Sequence, residues 1–75
     1  MNTAVKLLDS MRRNPRDWQL AQLQIIARQH GIAWRHDGGS HCVFMRDDGQ
    51  TLPVPARRPI KPIYIRKFLA LVDGG

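Results

Sequence analysis

The sequence predicts an α+β domain in which helices cover one face of a three-stranded antiparallel sheet. Two stretches before residue 31 and one after residue 61 repeat apolar residues every three to four positions, as amphipathic helices do. Between them, three short apolar or alternating runs are separated by turn residues, which is typical of strands. With 75 residues, the chain has room for one small hydrophobic core, so residues 1–75 are interpreted as a single domain.

The first and last helices are each predicted from one apolar stripe. The first covers residues 3–13, and its stripe is expected to pack against the rest of the domain rather than against another chain. The last helix is expected to begin at Pro62. Proline lacks an N–H group, and the N–H groups of a helix's first turn have no hydrogen-bond partner within the helix, so the loss costs nothing there. The stripes consist of Ala4, Leu7, Leu8 and Met11 in the first helix and of Ile65, Phe68, Leu69 and Val72 in the last.

A second helix is predicted between the first helix and the strands. Asn14 is a good N-cap, Pro15 fits the first helical position, and Gly31 stands where glycine commonly ends a helix. The apolar residues of this helix fall on two stripes, so we expect it to lie between the sheet and the first helix. The stripes are Trp18, Ala21 and Ile25 on one side and Leu20, Leu23 and Ala27 on the other.

The three strands are predicted to form a meander with the third strand at an edge. Pro53 and Pro55 cannot donate to a β-ladder, so both nitrogens are expected to face away from the partner strand. The strands are predicted at residues 32–36, 40–46 and 51–55, with turns at 37–39 and 47–50.

Period-two alternation divides the second strand between two faces. Cys42 and Phe44 are expected on the helix-covered face, and His41, Val43 and Met45 on the other.

Cys42 is the single cysteine, which excludes an internal disulfide and a zinc site built on cysteine pairs. The three histidines lack the spacing of a metal site, so neither a metal nor another cofactor is expected.

The charge balance predicts a polyanionic partner. Twelve Lys and Arg residues face six Asp and Glu residues, which gives a net charge of +6, and nine of the twelve cations are arginine. Guanidinium groups offer paired donors that suit phosphate, so nucleic acid is the first expectation and an acidic protein the second. Because no signal peptide or membrane span is found, a cytoplasmic location without a membrane partner is expected.

A glycine turn followed by Gly39-Ser40-His41-Cys42-Val43-Phe44 resembles the motif of the HicA toxins, small bacterial ribonucleases of toxin–antitoxin pairs. The resemblance continues from Leu52 to Ile65 and covers roughly residues 16–75. HicA toxins have the α-β-β-β-α order of the double-stranded-RNA-binding fold, and the predicted elements contain this order. Residues 15–75 therefore resemble a HicA core, and residues 1–13 are an added N-terminal helix.

The resemblance implies a metal-independent endoribonuclease that cleaves messenger RNA and is neutralised by a HicB-like antitoxin. His41 matches the catalytic histidine of the family, acting as general acid or base. Five cations without an intervening anion follow the third strand, and two more flank the motif. Together they are expected to form a row of positive charge that binds the phosphates of RNA. The expected RNA-binding residues are Ser40, Arg35, Arg46, Arg57, Arg58, Lys61, Arg66 and Lys67.

One departure from the family pattern leaves alternatives open. Many members place a histidine shortly after the Val-Pro pair, where this chain has Arg57. If that histidine transfers a proton, the chain has lost a catalytic group and would be a non-catalytic RNA-binding module of the same fold. If it binds phosphate, arginine replaces it well.

A third hypothesis is a protein-binding adaptor that uses Val43, Met45 and the first helix. Trp34 and Tyr64 can stack on bases but are not assigned to the site.

Overall fold

A computed structural model of the chain describes residues 3–36, 39–57 and 59–74. These residues form an α+β fold of three helices and one three-stranded antiparallel sheet, which confirms the predicted class and element order. Part of the predicted turn at 37–39 lies outside the described residues. The elements are α1 (Thr3–Arg13), α2 (Leu20–Gln29), β1 (Ala33–His36), β2 (His41–Met45), β3 (Thr51–Pro55) and α3 (Pro62–Asp73).

The sheet has the order β1-β2-β3, so β3 lies at an edge as predicted. Ala56 N donates to Ser40 O at 2.7 Å just beyond the end of the β2–β3 ladder. Bonded and non-bonded pairs alternate along an antiparallel ladder. Pro53 and Pro55 lie three positions and one position before Ala56, and they therefore occupy non-bonded positions. Their missing N–H groups cost the sheet nothing.

The covered face of β2 carries the centre of the core. Cys42 and Phe44 are fully buried, as predicted, and the Phe44 ring meets the Phe68 ring edge-on with centroids 5.1 Å apart. This spacing is favourable for two aromatic rings. Burial raises the pKa of the Cys42 thiol, so this side chain stays protonated and acts as a small core residue. On the opposite face His41 is exposed.

Helix α1 completes the core. Ala4 and Met11 are buried, and the helix contacts both α2 and α3, which confirms the expected intramolecular packing. At its end, Arg12 forms a two-pronged ion pair with Asp73 in the last turn of α3. The hydrogen bond from Arg12 lowers the pKa of the Asp73 carboxyl, so the pair stays charged at neutral pH.

Helix α2 begins five residues later than the Asn14-Pro15 signal predicts. Its first residue is Leu20, and Gln22 Oε1 accepts a hydrogen bond from the N–H of Gln19 at 2.8 Å, which caps the first turn. Asn14 does not cap this helix. Its side-chain oxygen accepts from the N–H of Arg16 at 3.2 Å within the connection between the two helices.

Tertiary contacts of Trp18 explain the late start of α2. The Trp18 side chain is buried, and its Nε1 donates to Asn14 O at 2.6 Å. Its own carbonyl accepts from Ile60 N at 2.8 Å, in an isolated antiparallel bridge. A bridge needs extended backbone, and the preceding Asp17 has φ of +64°. Both conformations exclude a helix here, so long-range pairing overrides the local capping signal.

Only one stripe of α2 is buried. Leu23, Ile26 and Ala27 are fully enclosed by α1 and the sheet side of the core, whereas Ala21 is exposed and Ile25 is 44% exposed. The helix contacts both α1 and β1, as expected. The prediction that the stripe of Trp18, Ala21 and Ile25 is covered is therefore wrong for Ala21 and Ile25.

Gly31, the residue after the C-cap of α2, should tolerate substitution poorly. Its φ is +69°, and an added Cβ would meet no atom within 4 Å, so the cost of a side chain is purely conformational. We expect Gly31→Ala to lower the free energy of unfolding by about 1 kcal/mol. Gly31→Asn should cost less, because asparagine tolerates this conformation. Urea denaturation measures both, and equal costs would contradict the backbone explanation.

Candidate functional site

An open cleft of about 490 Å³ lies at the end of the sheet where β2 begins and β3 ends. One wall comes from the predicted motif, and the other from described residues of the arm (residues 56–61), namely Arg57, Pro59, Ile60 and Lys61, together with the first turn of α3. Segments that are distant in sequence therefore share one depression. The lining residues are Ser40, His41, Pro55, Arg57, Pro59, Ile60, Lys61 and Tyr64.

Sheet pairing fixes the motif beside the start of the arm. His41 is the first residue of β2 and lies opposite Pro55, the last residue of β3. The hydrogen bond from Ala56 N to Ser40 O continues this pairing by one residue. The arm therefore leaves the sheet directly next to the histidine.

The far end of the arm is anchored to the core. Ile60 is buried, and its N–H donates to the Trp18 carbonyl, so the chain is fixed to the body of the domain at this residue. Lys61 then serves as the N-cap residue of α3, and its carbonyl accepts from Tyr64 N at 3.0 Å. Both ends of the cleft's second wall are held by backbone hydrogen bonds.

The imidazole of His41 is accessible and has one ring nitrogen engaged. His41 is exposed, and its Nδ1 lies 3.0 Å from Ser40 Oγ, with the donor set by the tautomer of the ring. This contact leaves Nε2 as the ring nitrogen for a substrate. Imidazole is the side chain that enzymes use most often for proton transfer.

Two of the predicted cations lie in the cleft with His41. Arg57 and Lys61 are exposed on the arm and line the same depression. Arg57 also borders a second depression of about 170 Å³, between the start of α2 and the end of β1. A polyanion that crosses from one depression to the other would pass over this guanidinium. Arg58 lies outside the described residues.

The two cations of α3 differ in their distance from the cleft. Lys67 Nζ lies 5.9 Å from the centroid of the ring of Tyr64, a residue that lines the cleft, so this ammonium lies next to the cleft without lining it. Arg66 is exposed on the same helix but does not line the depression. Arg35 stands on β1 opposite Val43, on the same sheet face as His41 and one diagonal position away.

Arg46 is not brought together with the other predicted residues. It follows β2 at the end opposite His41, and its Nη1 donates to Leu71 O at 2.5 Å in the last turn of α3. Its Nε lies 3.4 Å from Asp48 Oδ2, an ion pair without an aligned hydrogen bond. A guanidinium at this position neutralises carbonyls at a helix C-terminus, so Arg46 has a structural role.

Tyr64 is a cleft residue that the sequence reasoning did not assign. The signal that would have found it is its spacing from Lys61, because residues three apart in a helical turn lie on the same side. Pro59 and Ile60, which also line the cleft, carry no signal in the sequence that points to a site.

Substitutions of the cleft cations and of Arg46 should separate RNA binding from stability. The double variant Arg57→Ala/Lys61→Ala should weaken RNA binding and reduce the salt slope by about 1.4, since two phosphate contacts to a single strand are lost. Arg46→Gln should leave RNA affinity unchanged and lower the free energy of unfolding by about 1 to 2 kcal/mol. Fluorescence anisotropy across a salt series and urea denaturation measure the two effects. Weaker binding by Arg46→Gln alone would contradict this division.

No protein-family model, curated protein or solved structure matches this chain. Within the described ranges, no group of three or more His, Cys, Asp or Glu side chains is arranged to hold a metal ion. No helix in those ranges is long and apolar enough to cross a bilayer.

Proposed function

We propose that the chain is a HicA-like endoribonuclease that cleaves messenger RNA without a metal ion, as the toxin of a cytoplasmic toxin–antitoxin pair. The observation that carries this proposal is the cleft that holds His41 together with Arg57 and Lys61. A proton-transfer group beside two phosphate-binding cations suits RNA cleavage. In this proposal the sheet, α2 and α3 form a double-stranded-RNA-binding-like core to which α1 is added.

RNA supplies its own nucleophile in this reaction. The ribose 2′-oxygen attacks the adjacent phosphorus, the bond from phosphorus to the 5′-oxygen breaks, and a 2′,3′-cyclic phosphate forms. One proton leaves the 2′-hydroxyl, and one proton must reach the departing 5′-oxygen. His41 performs one of these two transfers and solvent water performs the other, while Arg57 and Lys61 balance the negative charge that grows at the phosphate.

The position of Arg57 bears on the departure from the family pattern. Arg57 lines the cleft, where the paired donors of a guanidinium would suit a phosphate oxygen. Its place therefore favours a phosphate-binding role for this position. A single positioned proton-transfer group contributes about 10² to 10⁴ in rate, so the enzyme is expected to be slow.

A second candidate is a non-catalytic RNA-binding module of the same fold. The observation that favours it is that His41 is the single imidazole among the described residues that line the cleft. A binding module would keep the salt-dependent affinity supplied by the cations and would lack cleavage.

A HicB-like antitoxin is the proposed protein partner. The net charge of +6 favours an acidic inhibitor, because opposite charges speed association and improve specificity. The cleft is open and its histidine is exposed, so a partner that covers this end of the sheet would block access of RNA.

The proposal is tested by incubating the purified chain with RNA in excess chelator and analysing the product ends. We expect cleavage that leaves 2′,3′-cyclic phosphate and 5′-hydroxyl ends. Salt-dependent binding without cleavage would support the binding module, and neither binding nor cleavage would support the protein adaptor.

A further inference from the structure

The cleft beside His41 has apolar and aromatic lining residues that the cleavage proposal does not use. They are Pro55, Pro59, Ile60 and Tyr64, and they share the lining with Arg57 and Lys61. A site for phosphate alone needs donors and cations but no such residues. The apolar lining therefore points to a ligand that carries a flat or apolar group next to its phosphate.

Tyr64 is the lining residue best suited to contact a flat group. It lies in the first turn of α3, is half-buried, and is held there by its backbone hydrogen bond to Lys61 O. The Lys67 ammonium approaches one face of the ring. Tyr64 packs partly against the hydrophobic core and also lines the cleft, so a ligand in the cleft would contact this side chain. A ring held in place by its helix loses little freedom when a base stacks on it.

We propose that the cleft binds one unpaired nucleotide, with its base stacked on Tyr64 and its phosphate on Arg57 and Lys61, so that the substrate is single-stranded RNA. This inference rests on the proposed function for its choice of RNA. A volume of about 490 Å³ lies in the usual range for a small-ligand site. In a duplex the bases are paired and stacked inside, so a base reaches this ring only from a single-stranded segment.

The experiment compares two uncleavable strands of equal charge by fluorescence anisotropy. One is a 2′-O-methyl uridine octamer, and the other is an octamer of abasic tetrahydrofuran phosphates. The native chain should bind the uridine strand about 5- to 150-fold more tightly, which is the usual contribution of stacking one base. Tyr64→Leu should abolish this preference while keeping the affinity for the abasic strand. Tyr64→Phe should retain the preference, because it keeps the ring.

Ile63→Ala is the matched control. Ile63 precedes Tyr64 on the same helical turn, is 55% exposed and lies outside the cleft, so its loss should leave both affinities unchanged. Circular dichroism of each variant checks that the fold is retained.

The outcomes separate this inference from the proposed function. Equal binding of both strands by the native chain, or a preference that survives Tyr64→Leu, overturns the nucleotide subsite even if RNA is cleaved. Tighter binding of a 2′-O-methyl duplex than of its single strand at equal salt also overturns it. A base preference that depends on Tyr64 in a chain that does not cleave RNA supports the subsite and overturns the ribonuclease. No binding of either strand overturns both.

Discussion

Replacing His41 with alanine is expected to slow RNA cleavage by about 10² to 10⁴-fold, the usual contribution of one positioned proton-transfer group. The side chain is exposed at the first position of β2, so its removal should leave the free energy of unfolding nearly unchanged. Affinity for an uncleavable 2′-O-methyl strand should also change little, because the phosphate contacts are assigned to Arg57 and Lys61. Rates in excess chelator, anisotropy and urea denaturation measure the three quantities.

His30→Ala is the matched control for this variant. His30 is also exposed, but it follows α2 and borders a different depression, beside Arg46 and Val72. Its removal should leave the cleavage rate unchanged. Equal losses in the two variants, or an unchanged rate in His41→Ala, would contradict the assignment of the chemistry to the cleft.

Replacing Phe44 with alanine is expected to remove a large part of the protein's stability. The side chain is fully buried at the centre of the sheet and packs against both Trp34 and Phe68. Truncating a buried phenylalanine costs about 3 to 5 kcal/mol, and a domain of this size has a total stability of about 4 to 11 kcal/mol. The variant should therefore show a greatly reduced urea midpoint or no folding transition.

Phe44→Leu should be much milder, because leucine fills part of the same volume. Thr51→Ala serves as a surface control on the same sheet, since Thr51 is exposed on β3. A Phe44→Ala variant that unfolds at the same urea concentration as the native chain would show that the core is not organised around this ring.

Local patterns predicted most of the fold. The stripe of α1 is short and regular, and the two prolines of β3 admit only an edge position, so these elements followed from neighbouring residues alone. The start of α2 did not, because the bridge between Trp18 and Ile60 joins residues far apart in the chain. A capping signal at Asn14 carries no information about that bridge.

The candidate site was predictable to a similar extent. The motif located His41, and the basic arm located Arg57 and Lys61, all of which meet in the cleft. Closeness to the motif in sequence does not show that an arginine faces the cleft. Arg46 lies at the other end of β2 from His41 and donates a hydrogen bond to Leu71 O in α3. This contact depends on how α3 packs on the sheet, which the neighbouring residues do not reveal.

The role of the 2′-hydroxyl is tested most directly with DNA strands that each contain one ribonucleotide, placed at each position in turn, with excess chelator present. We expect cleavage only on the 3′ side of the ribose, a 2′,3′-cyclic phosphate at the new end, and loss of this cleavage in His41→Ala. Cleavage of the all-DNA strand, or an unchanged rate in His41→Ala, would contradict the claim that His41 promotes attack by the 2′-hydroxyl.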